Sequence, residues 1–449
     1  MSIWRQNADS ARRRLRSRLT IGAVALALVG GAVAAAETTA ATAHKASVVH
    51  LTWWTMWSGA SLAPVNALVK QFNKTHPDIQ VSETNIPSVA TTSTAKLLSS
   101  IAAGDPPDAF TEWWPEIGSF AADGDLISFN KYLTGPLAGF KKYLYPVAVQ
   151  GGTYKGQLYA VPMSLNSWAL YYNKTLLSQY GITSPPTTLA ALYADQSKMW
   201  VTSNGQLSQL GFYPDVNENG FQFYTTFFGD TNCIKNGKYD FESPTACPGG
   251  IAEANFIKSY ASYSYSQVQA LQTAEGQVAG GAGDVFSNGK AGFVLSGPWE
   301  GQVEVPATDT SLEGNFGVEP FPGIPSTIGQ GNFVIIPKGS KHPQQAAEFI
   351  AWLSGYKNAA FAAKIDTAGG WIPGGPSVTK QPVYKAWIAA NPWLKGFLPE
   401  MTEKGTVAPE LTANQSQLFT AENTATANIL QGIQTPLQAL QYIDQQGNG

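Results

Sequence analysis

Residues 104–115 read Gly-Asp-Pro-Pro-Asp-Ala-Phe-Thr-Glu-Trp-Trp-Pro, and the order of residue types in this stretch decides the fold class. Thr94 to Ala103, just before it, has helical spacing, and a glycine at 104 is a helix stop. Pro106 and Pro107 bar the helix from continuing. Asp108-Ala109-Phe110-Thr111-Glu112 then reads as a short strand, with Trp113, Trp114 and Pro115 just past its end. Helix, turn and strand follow one another within a few residues, and the same alternation continues on both sides.

Upstream, Val48-Val49-His50-Leu51-Thr52-Trp53 reads as a buried strand. Pro64 to Asn73 reads as an amphipathic helix with Val65, Leu68, Val69 and Phe72 on one face, and Ile79-Gln80-Val81 as a second strand. Downstream, Lys290 to Leu295 is a strand running into Ser296-Gly297-Pro298-Trp299, and Gln344 to Leu353 is a helix with Ala347, Phe349, Ile350 and Leu353 apolar. The C-terminal third is helical in character, with a glycine and proline cluster from Gly369 to Pro376. Alternating elements predict an α/β fold. A chain of 449 residues exceeds what one hydrophobic core serves, so two or more lobes are expected, joined by short crossovers.

At the N-terminus, Arg12, Arg13, Arg14, Arg16 and Arg18 precede an uncharged run from Leu19 to Ala36 that ends in three alanines. This is the layout of an export signal, residues 1–36, with small residues at its cleavage site. An uncleaved anchor is the competing reading, because about 18 apolar residues can just span a bilayer. The first 36 residues hold six arginines and one aspartate, so the formal charge of −3 becomes −8 when they are set aside. Beyond Leu19 there is no arginine: every remaining basic residue is lysine.

That absence weighs against whole classes of ligand, although lysine can still serve as a point charge. Arginine's planar fork matches two oxygens at once and is the usual reader of carboxylate and phosphate. An acidic chain without it is poorly suited to nucleic acid, and no nucleic-acid partner is expected. Charged residues make up 13% of the chain against a typical ~25%, so Ser, Thr, Asn and Gln must cover much of the surface. The two cysteines, Cys233 and Cys247, most simply form one disulfide in an oxidising compartment.

Catalytic signatures are thin. His44, His50, His76 and His342 show no metal-ligand spacing, and no metal or cofactor is expected. Gly283 to Lys290 superficially resembles a phosphate loop, but its glycine spacing is one residue too long and Ala291 stands where a hydroxyl must reach magnesium. No nucleophile elbow or His-Glu-x-x-His occurs. Glu112 and Glu116 could pair as in a glycosidase, yet sequence supplies no separation for them.

Tryptophan supplies the positive signal. Trp53, Trp54 and Trp57 follow the first strand, Trp113 and Trp114 another, and Trp299 a third. For any one of them core packing is the simpler reading. Repetition at strand ends, where open α/β sheets bind ligands, points to a site. Aromatic faces suit the C–H patches of sugars, while Glu112 or Asn166 could take the hydroxyls.

These residues resemble a known family. Phe72, Pro77, Ile79 and Val81 followed by Gly104-Asp105-Pro106-Pro107-Asp108 are similar to its Gly-x-x-Pro-Asp marker. Tyr159-Ala160-Val161-Pro162, Leu170-Tyr171-Tyr172-Asn173-Lys174, Pro185-Pro186-Thr187-Thr188, Ser296-Gly297-Pro298-Trp299 and the helix Ala346 to Leu353 follow in the family's order. The family is that of extracellular solute-binding proteins of sugar-importing ABC transporters, family 1, similar to maltose-binding protein. Two positions depart from it: Leu189 and Ala191 stand where Trp and Glu are usual, and no lipid-anchor cysteine follows the export segment.

The resemblance, spanning about residues 48 to 445, implies a two-lobed periplasmic-binding-protein-like fold with discontinuous lobes and hinge crossovers. One lobe would hold 48–164 plus 319–356, the other 165–318 plus 357–449. Matching positions give Glu112, Trp113, Asn166 and Trp299 as ligand-binding residues. Neighbourhood adds Trp54, Trp57, Trp114, Trp168, Asp215, Gly331 and Trp371. The implied function is a non-catalytic, monomeric receptor at the periplasmic or extracellular face of the membrane, passing a neutral mono- or oligosaccharide to the membrane permease of an ABC importer. The rival readings are a secreted carbohydrate-active enzyme, or a receptor for a polyol, sugar phosphate or polyamine.

Overall fold

The computed structural model describes residues 47–57, 62–86, 92–213, 233–259, 265–278, 284–308, 311–322, 327–328, 330–397, 406–408 and 410–449. The export segment and Asp215 lie outside the described residues.

Ten strands build two five-stranded sheets. In chain order they are β1 (Val49–Thr55), β2 (Ile79–Asn85), β3 (Ala109–Trp113), β4 (Ala160–Asn166), β5 (Ala169–Asn173), β6 (Val201–Ser203), β7 (Gln206–Tyr213), β8 (Ala291–Ser296), β9 (Phe316–Glu319) and β10 (Gln330–Ile335). The first sheet runs β2-β1-β3-β10-β4 and the second β9-β5-β8-β7-β6. Within the first, β1 is parallel to β2 and β3, while β10 is antiparallel to both its neighbours. Within the second, β8 is parallel to β7 and antiparallel to β5. Both sheets are assembled from distant parts of the chain, as the α/β reading requires.

The opening stretch behaves as its residues dictate. Helix Thr92–Ala102 ends where Gly104 takes a φ of 76°, and the Asp105 N–H reaches back to the Ser100 carbonyl at 3.0 Å. Those bonds satisfy carbonyls that the last helical turn leaves open. Asp108 then accepts from the Thr52 N–H (3.0 Å), the Ser340 hydroxyl (2.9 Å) and the His342 N–H (3.2 Å). The Pro-Asp marker is thus a staple holding β1, β3 and the segment after β10 together.

Helices cover both faces of each sheet. On one face of the first, Trp53 packs with Val65, Leu68 and Phe72 of helix Leu62–Thr75 and with Phe349 of helix Pro343–Leu353. On the other, Phe110, Phe333 and Ile335 pack with Leu97 and with Ile117 and Phe120 of helix Trp114–Asp123. Strand β8 is buried along its whole length, as a central strand covered on both faces must be. Phe293 and Leu295 meet Phe256 and the C-terminal helices Gln415–Leu430 and Pro436–Asn448. The second of these helices opens with a Thr435 capping box and Pro436 at its first turn.

The chain passes between the sheets at Ser167-Trp168, directly joining β4 to β5, and again between β9 and β10. A third approach is made where Ile372 bridges Leu165 at the end of β4, its carbonyl accepting from the Leu165 N–H at 2.6 Å. Cys233 and Cys247 form a disulfide.

Candidate functional site

Strand register gathers residues that are remote in sequence. At the end of the first sheet Trp113 stands opposite Asn332, Gly331 opposite Leu165, and Gln330 opposite Asn166. Leu165 in turn neighbours Ile372, which brings Trp371 to the same edge. Glu112, Trp113, Asn166, Gly331 and Trp371 therefore share one end of one sheet, and Trp114 opens the helix that follows β3. In the second sheet Ser296 pairs with Ala169, which sets Trp168 beside the Gly297-Pro298-Trp299 turn.

Local packing shapes these groups. Trp168 and Trp299 meet edge to face, ring centroids 5.0 Å apart; Trp168 is buried and Trp299 half-buried. The Trp299 ring lies back over Gly297, where an added Cβ would come within 1.9 Å of it, so only glycine lets the ring fold this way. The Tyr171 hydroxyl donates to the Gly297 carbonyl at 2.8 Å and pins the turn to β5. Across the first sheet, Trp57 lies 5.5 Å from Trp371 and 6.2 Å from Trp53, and its carbonyl accepts from the Asn85 side chain. Gly370, at φ 67° and next to Trp371, packs against Gln302 and against the carbonyl of Pro298, the neighbour of Trp299. Gln302 itself accepts from the Trp387 indole at 2.7 Å.

The expected residues differ in what they pack against. Trp54 packs at 6.4 Å from Phe110, with the Lys96 ammonium 5.0 Å from its ring. It thus belongs with the helix-covered face, opposite to Trp53. A side chain on Gly331 would strike the Ser164 carbonyl at 2.0 Å, so glycine there answers a close approach of two backbones. Trp57, Trp168 and Trp371 are 8%, 5% and 6% exposed, which makes them supports of the aromatic groups more than open platforms. Glu112 is buried on β3 beside the paired Phe333.

Sequence reading missed Asn332, Gln302 and a group of carboxyls. Asn332 directly follows Gly331 and donates to the Ser164 hydroxyl at 3.2 Å; pairing it with Trp113 requires the register. Asp284, Glu300 and Glu304 bring one carboxylate oxygen each within 4.8 Å of one another. They have the donor chemistry of a hard-cation site, but carboxyls also gather by sharing protons. Burial, and then the neighbouring Asp284 and Glu304, push the Glu300 carboxyl well above its ordinary range.

The comparisons identify the family. A family model described as bacterial extracellular solute-binding protein matches residues 57–360. The chain belongs to that family. Among its relatives, a maltotriose-binding protein of Pyrococcus abyssi is 24% identical over 355 residues, covering 77% of this chain and 70% of that protein. A maltooligosaccharide ABC transporter solute-binding lipoprotein of Streptococcus pneumoniae is 25% identical over 265 residues, 56% of each chain. The structure of CpMnBP1 with mannotriose bound superposes with a TM-score of 0.73 at 27% identity, over 89% of this chain and all of that one. The two sheets are thus those of a periplasmic-binding-protein-like fold, and the family description places the protein outside the cytoplasm. No helix among the described residues is long and apolar enough to cross a membrane.

Proposed function

We propose that this solute-binding protein is the receptor of an ABC importer, capturing a neutral mono- or oligosaccharide between two lobes and delivering it to the membrane permease without altering it. The lobes are taken as residues 48–164 with 319–356 and residues 165–318 with 357–449, each organised around one sheet. The observation that carries the reading is the pair of aromatic groups, Trp57 with Trp371 and Trp168 with Trp299, one beside each sheet and linked by the packing of Gly370 on the Pro298 carbonyl, in a chain that has no arginine after residue 18. Aromatic faces and amides without a bidentate cation suit an uncharged polyhydroxylated ligand. The relatives named for maltotriose, maltooligosaccharide and mannotriose support the same class.

Capture follows from differential contact. A sugar bound to one sheet alone would bury one face; only the closed arrangement buries both, and that difference shifts the population toward closure. A thermal-shift screen of the purified chain against neutral sugars, sugar phosphates and polyamines tests the assignment. Neutral oligosaccharides are expected to raise the unfolding midpoint by mass action, adding ~2.7 kcal/mol of stability at a hundredfold excess over Kd. A response confined to charged ligands would refute it.

A further inference from the structure

We propose that this protein is built to fold and work in an acidic medium: among the described residues its interior holds carboxyl groups buried without a basic side chain against them, so the folded state is most stable when those groups are protonated. This goes beyond the ligand assignment and does not depend on it.

The geometry is repeated in separate parts of the fold. Glu253, on helix Pro248–Ser259, is wholly buried, and neither carboxyl oxygen has a hydrogen-bond partner among the described residues. The group facing it is another buried carboxyl, Glu422 of helix Gln415–Leu430. On the neighbouring helix Asp444 is taken up by the Phe241 and Glu242 N–H groups, and Tyr239 sits beside Thr412; Lys258 points to solvent. Asp366 is buried facing Tyr143 and Tyr384, while Lys70, Lys364, Lys380 and Lys385 on the surrounding helices are exposed. Glu116 accepts from the Ser416 hydroxyl.

An ionised carboxylate in such surroundings is costly unless paired, and the cheaper state is the acid. Burial, first among the causes in each case, pushes Glu116, Glu253, Asp366 and Asp444 up. Asp105, by contrast, is pulled down by the exposed Lys341. Each raised group keeps its proton at a pH where the unfolded chain has lost it. Stability from this source is complete below the ordinary carboxyl range of about 4 and is lost as pH rises through the raised values.

The surface fits the same medium. Among the described residues the ion pairs are Lys198–Asp195 and Lys341–Asp105, both on the outside, so protonating carboxylates breaks little that holds the fold. With 13% charged residues, the charge that acidification leaves is spread thinly, which limits self-repulsion.

The test is the unfolding midpoint of the sugar-free chain between about pH 3 and pH 8. The midpoint should be highest near the acid end and fall toward pH 8; a flat profile, or one that rises from acid to neutral, overturns the proposal. Glu253→Gln keeps the shape of the protonated side chain. It should raise the midpoint at neutral pH by roughly 2–4 °C and leave it unchanged in acid; an equal loss at both overturns the role given to this carboxyl. Asp366→Asn serves the same purpose elsewhere in the fold, and the unsubstituted profile decides if either variant does not fold.

Discussion

Trp299 is the residue on which the binding account leans most. Its ring is half-buried, braced edge to face by Trp168 and folded over Gly297, so it is held in place before any ligand arrives. Pre-positioned rings give up little entropy on binding. Trp299→Ala should weaken sugar affinity at least roughly tenfold, an effect of hot-spot size, while the unfolding midpoint moves little. Tryptophan-fluorescence titration measures it; unchanged affinity would remove the ring from the site. Trp299 was legible in the sequence because it ends a strand in a Gly-Pro-Trp turn. The arrest of Trp57 between Trp53 and Trp371 was not, since Trp371 reaches that edge only through the bridge of Ile372 to Leu165. Gly331 misleads for the same reason: its neighbour is a backbone carbonyl on another strand, which no local pattern announces.

At the scale of elements, local signals were sufficient wherever the chain's own neighbours decide the structure. Gly104 stops its helix, Pro343 opens another, and alternating apolar residues set the strands. What local signals could not supply was assembly. Asp108 stood in the sequence as part of a family marker, and in the fold it is a staple to Ser340 and His342. Helix Gln415–Leu430 docks on helix Trp114–Asp123 through Gln415, which accepts from the Gly118 N–H at 3.2 Å, a contact between the two ends of the chain. The disulfide acts at this scale too. It closes a loop that is seated on helix Pro436–Asn448 by Asp444 and by Asn448, whose side chain donates to the Tyr239 carbonyl at 2.8 Å. A closed loop of this length removes about 3 kcal/mol of unfolded-state entropy. Replacing Cys233 and Cys247 by serine should lower the urea midpoint accordingly, and an unchanged midpoint in reductant would contradict that role.

For the whole molecule the two sheets and their short crossings matter more than any single side chain. Ser167 and Trp168 are all that separates β4 of one sheet from β5 of the other, so movement of one sheet against the other must be absorbed there and at the companion crossings. Trp168, buried beside Trp299, couples one crossing directly to the aromatic group of the second sheet. An acidic, arginine-free exterior and an interior of protonated carboxyls describe the same molecule at its largest scale: one that handles uncharged cargo in the open. Isothermal titration calorimetry with the neutral oligosaccharide found by screening, followed by chromatography of the recovered sugar, tests the central claim. The account predicts one site per chain and sugar recovered intact. Absence of binding by any neutral sugar, or recovery of cleaved sugar at catalytic rates, would contradict it.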